Sequence, residues 1–339
     1  MALAPPPLAP LSLLLRLLGP AVLALAAAWA FDRLCQRKGL LPPGFYRPWR
    51  RAAAGALVFL ILWFGIFAPI GEVGLDEKLD LSAISTPRLF LLHGMMAAAV
   101  LGWFLLGFAG ARRPRPAAPA AAAPLEAPAD SVPAPAPTAA MTAAVRQPSF
   151  FRQVAAQLGL VAPDVPREVL IGLALGACAW GAVLLALFAA AIAIYAIGGE
   201  QALPKPSAIV PWIAALPVLV RLLVSLSAGF VEEIFFRGFL QPRAGIALST
   251  GCFVLAHLSY GQPFMLLGIA MLSLIYAFLV RWRQTIWPAI AAHALFDGVQ
   301  LLVIIPMAMR YLGPAPGHGG GKPAMAVFSG VAGALGRIW

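Results

Sequence analysis

Charged side chains interrupt an otherwise apolar stretch at residues 230–237, which reads Phe-Val-Glu-Glu-Ile-Phe-Phe-Arg. An ionisable residue within a membrane-spanning helix costs a few kcal/mol, so it is retained for pairing or for function. Glu233 and Arg237 are four residues apart, share one face of a helix and are expected to pair. Glu232 points about 100° away on the same helix and remains free to act as a base. A buried ion pair that only orients helices is the alternative explanation for Glu233 and Arg237.

Two histidines and an aspartate follow in later apolar stretches. His293 and Asp297 are four residues apart on one helix face, and His257 ends a shorter apolar run. Considered separately, His293 and Asp297 would form a hydrogen-bonded pair between helices, and His257 would be a packing residue. The helical rise from the nearest basic turn, however, places Glu232 and these three residues roughly 15–21 Å into the membrane. In a hydrocarbon core about 30 Å thick they share one layer, which predicts a site for carboxylate and imidazole chemistry.

The composition predicts that lipid is the solvent for most of these 339 residues. Hydrophobic residues make up 61% of the chain and charged residues 11%, and the mean hydropathy is +0.88, whereas a soluble domain carries about a quarter charged residues. The net charge of +11 comes from short basic clusters beside apolar runs. That pattern is typical of membrane orientation and not of a nucleic-acid-binding face. The cysteines Cys35, Cys178 and Cys252 lack metal-ligand spacing and are interpreted as structural.

The apolar runs predict an all-α, polytopic membrane protein with about eight transmembrane helices. Basic segments at 32–51, at 112–168, near Arg243 and at 281–283 would be cytoplasmic, whereas the acidic loop at 72–88 and the N-terminus would lie outside. The first run lacks a preceding basic region, so it is expected to be a retained helix and not a cleaved signal peptide. The predicted runs are residues 8–31, 52–70, 89–111, 169–197, 209–240, 244–258, 264–280 and 286–307.

Composition divides the chain into four parts. Residues 1–111 form an N-terminal three-helix membrane unit, and 112–168 form a cytoplasmic linker rich in Ala and Pro. Within the linker, residues 149–160 are expected to form either an amphipathic helix on the membrane surface or a plain connecting helix. Residues 169–307 form the C-terminal membrane domain, and the Gly- and Pro-rich tail 308–339 is assigned no role.

Three motifs on these helices together resemble the CPBP family of membrane peptidases, the CAAX-protease and bacteriocin-processing group also called the Abi family. The motifs of that family are Glu-Glu-x-x-x-Arg, then Phe-x-x-x-His, then His-x-x-x-Asn or Asp. The chain has, in that order, Glu232-Glu233-x-x-x-Arg237, Phe253-x-x-x-His257 and His293-x-x-x-Asp297. The resemblance extends over the segment from about 205 to 305 and implies a CPBP-like helical bundle there, while the first 168 residues match no pattern.

The resemblance implies a role for each motif residue. Glu232 would be the general base that activates water, and His257 would hold that water or share its proton. His293 and Asp297 would form the oxyanion hole. Because an ionised aspartate cannot donate a hydrogen bond, Asp297 would have to orient His293 or be protonated. Glu233 and Arg237 would be structural residues that orient the others.

The four catalytic candidates could also ligate a divalent metal such as zinc, with an open position for water. No His-Glu-x-x-His run occurs, so no cofactor is firmly implied and activation of water by a glutamate is preferred. Serine-type proteolysis is disfavoured because no Gly-x-Ser-x-Gly element accompanies a histidine at matching depth. If a metal is used, its ligands would be Glu232, His257, His293 and Asp297.

The resemblance therefore implies an intramembrane endopeptidase that hydrolyses a peptide bond near the membrane. Its partners would be the lipid bilayer and a membrane-associated protein or peptide, such as a prenylated tail, a precursor or a C-terminally anchored protein. The Ala-, Pro- and Gly-rich composition hints at a bacterium, in which this would be a multi-pass inner-membrane protein with its site open to the cytoplasm. A non-catalytic immunity or scaffold protein of the same fold is the alternative. A transporter is disfavoured, because it should show two related halves and none are seen.

Overall fold

Helices account for nearly all of the described residues, and none of these residues forms a strand. The computed structural model describes residues 10–67, 86–110, 149–203, 209–258 and 263–312. Its main helices are α1 (Pro10–Arg37), α2 (Pro48–Leu62, continued by a π-helical turn over Trp63–Phe67), α3 (Thr86–Phe108), α4 (Phe150–Gln157), α5 (Val165–Gly198), α6 (Ile209–Ala215), α7 (residues 218–244), α8 (Ile246–Ala256), α9 (Pro263–Arg283) and α10 (Trp287–Val299, continued over Gln300–Ile304 and Ile305–Leu312).

Six helices in the described part of the chain are long and apolar enough to cross a membrane. These segments are Leu18–Arg37, Pro48–Phe67, Phe90–Phe108, Val165–Gly198, Phe264–Arg283 and Trp287–Arg310. Helix α7 has the length of a span but carries several charges, and the 11 residues of α8 rise only about 16 Å. The prediction of an all-α, multi-pass membrane protein is confirmed. The predicted number of eight spans is approximate, since it includes α7 and the short α8.

One predicted boundary is wrong for a clear steric reason. The apolar run at 209–240 was expected to form one span, but α6 ends at Ala215 and α7 begins at Val218. Pro217 separates them in an extended conformation, with ψ at 144°. Proline has no N–H to continue a helix, and it drives the preceding residue out of helical geometry. Helix α7, which carries Glu232, is therefore a separate helix that begins after Pro217.

The N-terminal helices and α7 share one hydrophobic core. Phe239 on α7 packs against Phe31 of α1 at 5.3 Å between ring centroids, and against Trp103 and Phe104 of α3 at 5.2 and 6.1 Å. These aromatic contacts add to the burial of apolar surface. The helices before the linker thus pack directly on the helix that carries the glutamate pair. The division of the chain into four parts stays a prediction.

Helix α10 is held closely against α5 by two glycines. A Cβ atom placed on Gly176 would lie 2.7 Å from the Cα of Ala292, and one on Gly172 would lie 2.6 Å from the Cα of Pro288. Both distances are far shorter than an ordinary contact, so only glycine allows this approach. The small residues let the two backbones pack together as in other membrane helix pairs. The depth and rotation of α10, which carries His293, are set in this way.

Helix α4 is present where a helix was predicted at 149–160, and the turn after it joins the turn between α9 and α10. The carbonyl of Gly159 accepts hydrogen bonds from Thr285 Oγ1 at 2.8 Å and from the amide of Ile286 at 3.0 Å. The carbonyl of Leu160 accepts one from Trp287 Nε1 at 2.9 Å. Apolar side chains of α4 and this turn are buried against the protein, whereas Phe151 is exposed. The acidic loop at 72–85, the Ala/Pro-rich stretch and most of the tail lie outside the described residues.

Candidate active site

Two π-helical turns, over Ala228–Glu232 and Ile234–Leu240, position the glutamate pair within α7. A π-helical turn frees a backbone carbonyl from the regular ladder and rotates the side chains around it, and it is frequent at functional sites. Ser249 Oγ donates a hydrogen bond of 2.7 Å to the carbonyl of Phe236, which also accepts the amide hydrogen of Gln241 in the second π-helical turn. As a result the two neighbouring carboxylates diverge, with Glu232 facing α3 and Glu233 facing α10.

Glu233 is fully buried and joins two helices. Its Oε1 lies 3.2 Å from Arg237 Nη1 and accepts a hydrogen bond of 2.8 Å from His293 Nδ1. The pair with Arg237 has the spacing that the sequence predicts, whereas the bond to His293 crosses between α7 and α10. Oε1 serves both partners, whereas Oε2 is buried without a hydrogen-bond partner among the described residues, as is Oε2 of Glu232. The ion pair and the bond to His293 make Glu233 suited to hold the site together.

Arg237 is 1% exposed, and its charge is compensated on several sides. Besides its contact with Glu233, it donates hydrogen bonds to the hydroxyl of Ser273 at 3.0 Å and to the carbonyl of that residue at 3.3 Å. The guanidinium lies 4.3 Å from the ring centroid of Phe253, within cation–π range. A buried charge needs such partners to be tolerated. Arg237 therefore anchors the glutamate pair to α8 and α9.

His293 has a carboxylate near each of its ring nitrogens. Nδ1–H donates to Glu233, and Nε2 lies 3.6 Å from Asp297 Oδ2, beyond direct hydrogen-bond distance. Its ring stacks on Tyr276 at 5.4 Å between centroids and meets the ring of Phe253 at 5.9 Å. Because Nδ1 is committed to Glu233, Nε2 is the nitrogen that this residue can offer to a reacting group.

His257 lies at the C-terminal end of α8, and its tautomer follows from its surroundings. Nδ1 lies 2.7 Å from the carbonyl oxygen of Phe253, which can only accept, so Nδ1 carries the hydrogen. In the neutral ring, Nε2 is then an acceptor. The imidazole also packs on the ring of Phe253 at 4.7 Å between centroids. His257 is thus oriented to accept a proton or a hydrogen bond at Nε2.

Glu232 is mostly buried and uses only one of its oxygens. Oε1 lies 3.3 Å from His93 Nε2, whereas Oε2 is buried and has no hydrogen-bond partner among the described residues. His257 and His293 are close enough to interact with this carboxylate electrostatically, and Asp297 interacts with both Glu232 and His293. A buried oxygen of this kind normally has a partner. The other three predicted catalytic residues, His257, His293 and Asp297, thus lie near enough to Glu232 to interact with it electrostatically.

His93 is the residue that the sequence motifs missed. It lies on α3, and its Nδ1 is 3.0 Å from Ser227 Oγ while its Nε2 faces Glu232. No family motif includes it, because the resemblance covers only the C-terminal half. A signal was nevertheless present, since His93 is an ionisable residue within an apolar span. The same criterion singled out Glu232 and His293.

A zinc site built from Glu232, His257, His293 and Asp297 does not fit this geometry. Among the described residues, no group of three or more His, Cys, Asp or Glu side chains is arranged to hold a metal ion. Nδ1 of His293 is hydrogen-bonded to Glu233, and Nε2 faces Asp297. Zinc requires its protein ligands to converge at about 2.0–2.3 Å.

A cavity opens at one end of the bundle, between α4, α7 and the turn that joins α9 to α10. We call this the basic end, because Lys38 and Arg281 line the cavity there, while none of the described acidic residues does. Arg237 and Gly238 form part of the cavity wall nearest the site. Gly238 is required at this position, since a Cβ atom would lie 2.7 Å from the carbonyl oxygen of Leu158. The cavity thus reaches to within about one helical turn of the glutamate pair.

Comparison with known families gives one match. Residues 214–299 match the family model described as type II CAAX prenyl endopeptidase Rce1-like. The comparisons with curated proteins and with solved structures gave no match. The matched residues include every motif residue discussed above, and they exclude His93. The resemblance predicted from three motifs is thereby confirmed over this segment: residues 214–299 are similar to the Rce1-like type II CAAX prenyl endopeptidases, a family of proteases.

Proposed function

We propose that this protein is an intramembrane endopeptidase that hydrolyses a peptide bond with water activated at Glu232. The observation that carries the proposal is the buried Oε2 of Glu232, which has no hydrogen-bond partner among the described residues, in a carboxylate that interacts electrostatically with His257, His293 and Asp297. A general base must have a free acceptor within reach of the proton that it removes. The match to a protease family supports the same reaction.

In the first step, a water molecule donates one hydrogen to Glu232 Oε2 and the other to Nε2 of His257. Its oxygen attacks the carbonyl carbon of the substrate while the proton moves to Oε2. Glu232 then delivers this proton to the leaving nitrogen, and the C–N bond breaks. Holding the water between two acceptors contributes to the rate through orientation, and proton transfer contributes typically about 10²–10⁴-fold.

The oxyanion of the tetrahedral intermediate is stabilised by His293. With Nδ1–H bound to Glu233, a proton on Nε2 makes the ring a cationic donor, and the adjacent carboxylates of Glu233 and Asp297 balance its charge. Such a preorganised donor is worth about 10²–10³-fold in kcat. An ionised aspartate cannot itself donate, so the role of Asp297 is to orient His293 and not to bind the oxyanion.

The substrate is a membrane-associated protein or peptide whose C-terminal tail enters from the basic end. The basic cavity wall, with Lys38 and Arg281 and none of the described acidic residues, suits the free carboxylate of such a tail. The name of the matched family points to a prenylated CAAX tail. Peptide precursors and C-terminally anchored proteins share the same features and are further candidates. The basic end faces the cytoplasm in this proposal, because Lys and Arg collect on that side.

The test compares the full-length wild-type protein with Glu232→Gln, which keeps the size and polarity of the side chain but removes the base. Both are reconstituted in lipid nanodiscs and given a quenched fluorescent peptide that ends in a farnesylated CAAX sequence, together with its unprenylated form. Thermal unfolding is recorded for both proteins. We expect wild-type cleavage to fall at least 10²-fold in a variant that is as stable as wild type.

Two results contradict the proposal. If Glu232→Gln still cleaves at the wild-type rate, Glu232 is not the base. In the second result, wild type cleaves neither of the two peptides and none of a panel of membrane-anchored peptides, while Glu232→Gln is markedly less stable than wild type. The polar cluster then only holds the helices together. The non-catalytic scaffold function is then the better account.

A further inference from the structure

The geometry points to His93 as the residue that positions the general base, so that the active site depends on the N-terminal helices. This inference rests on the proposed peptidase function and extends it. His93 lies on α3, with side-chain exposure of 13%, and bridges Ser227 and Glu232 of α7. The family match begins at residue 214 and does not include it.

Two contacts hold the ring of His93 in place. Ser227 Oγ lies 3.0 Å from Nδ1 and 3.1 Å from the carbonyl oxygen of Val224. Because a hydroxyl both donates and accepts, the contact with Nδ1 fits either form of that nitrogen. The ring is thus oriented with Nε2 directed at Glu232.

The contact between His93 Nε2 and Glu232 Oε1, at 3.3 Å, then requires a proton between the two atoms. Two lone pairs facing each other would repel, whereas an N–H donor to a carboxylate makes a charge-assisted hydrogen bond. This bond occupies Oε1 and leaves Oε2 as the one oxygen available to water. His93 thereby fixes which oxygen of Glu232 reacts and how the carboxylate plane is oriented.

The same contact supports the charged form of the base inside the bundle. A buried carboxylate without a partner tends to take up a proton and lose its basicity. Other ionisable groups that face Glu232 are His257 at the end of α8 and the pair His293 and Asp297 on α10. His93 contributes a hydrogen bond to Glu232 in addition to these electrostatic interactions. Removing His93 should therefore impair catalysis at low pH more than at high pH.

The experiment uses the full-length protein in nanodiscs with His93→Phe and His93→Gln. Phenylalanine keeps the ring volume but removes the Nε2–H donor, whereas glutamine keeps a donor near the position of Nε2. For His93→Phe we expect kcat to fall about 10²-fold with KM nearly unchanged, and the rising limb of the kcat profile to move to higher pH. The kcat of His93→Gln should be at least tenfold higher than that of His93→Phe. A folded His93→Phe variant whose kcat profile superimposes on that of wild type would overturn the inference.

A second measurement decides the inference without relying on cleavage. The carboxyl stretching band of Glu232 is followed by infrared difference spectroscopy as a function of pH, and Glu232→Gln identifies the band. In His93→Phe the midpoint of this titration should lie at higher pH than in wild type. An unchanged midpoint would refute the pairing. If wild type cleaves no peptide but the midpoint shifts, the peptidase function fails while the His93–Glu232 pair stands.

Discussion

Replacing Gly229 by alanine tests how strictly the active site depends on the spacing between α7 and α10. Gly229 lies in the first π-helical turn of α7, three residues before Glu232. A Cβ atom at this position would be 2.8 Å from both the amide nitrogen and the Cβ of Ala294, and 3.0 Å from its Cα. These are atoms of the α10 backbone and of a methyl group, so no flexible side chain can move aside.

The size of the effect follows from these distances. Ordinary contact begins at 3.4 Å, so the helices must separate by about 0.6 Å at Gly229. The hydrogen bond from His293 to Glu233, now 2.8 Å, crosses the same pair of helices and would be stretched beyond its normal range. A displacement of 1 Å costs about 10²-fold in rate, so we expect kcat of Gly229→Ala to fall about tenfold. Overpacking should cost about 1–3 kcal/mol of unfolding free energy, partly offset by about 1 kcal/mol of helix propensity.

The assay measures kcat on the farnesylated peptide and unfolding in mild detergent for wild type, Gly229→Ala and a matched control. The control is Gly181→Ala on α5, where a Cβ atom would have nothing within 4 Å. It should unfold no more easily than wild type and keep its activity. If Gly229→Ala retains kcat within about twofold of wild type, the reasoning from helix spacing is refuted.

Two further perturbations test the buried network and the basic cavity. Arg237→Met should lower the free energy of unfolding by about 3–5 kcal/mol, because the buried carboxylate of Glu233 loses its guanidinium partner and keeps only its bond to His293. The double variant Arg237→Met/Glu233→Gln should recover part of this loss in denaturant titrations, and equal losses would argue against a charge effect. Lys38→Glu and Arg281→Glu should each raise KM about fivefold for a peptide with a free C-terminal carboxylate, since each exposed charge contributes up to about 1 kcal/mol. The KM for the matching C-terminal amide should not change, and an equal effect on both peptides would show that the cavity does not bind the carboxylate.

Much of the site could be predicted because it follows from helical periodicity within single segments. Glu233 and Arg237 share a face by their spacing of four residues, as do His293 and Asp297. Counting along each helix from its basic turn also predicted that these residues share a layer with His257. Both inferences use only the rise and the rotation of a helix. The electrostatic interactions of Glu232 with His257 and His293 agree with this layer.

The contacts that the sequence did not predict are those between helices distant along the chain. Nothing in the spacing of residues says that His93 faces Glu232 or that Glu233 also bonds to His293, because such contacts depend on how whole helices rotate and pack. The interruption at Pro217 was visible as a residue type, but the strongly apolar run around it favoured a continuous span. Periodicity predicts which residues share a face of one helix, but it does not predict how two helices pack against each other.

The contact between His93 and Glu232 also has a consequence for biosynthesis. The two residues are 139 positions apart in the chain, and His293 arrives only with α10, the last of the described helices. A chain that enters the membrane helix by helix therefore holds no complete set of reacting groups until α10 has docked. In the proposed peptidase, hydrolytic competence would be acquired only at the end of assembly, so the growing chain and its neighbours would be protected from premature cleavage.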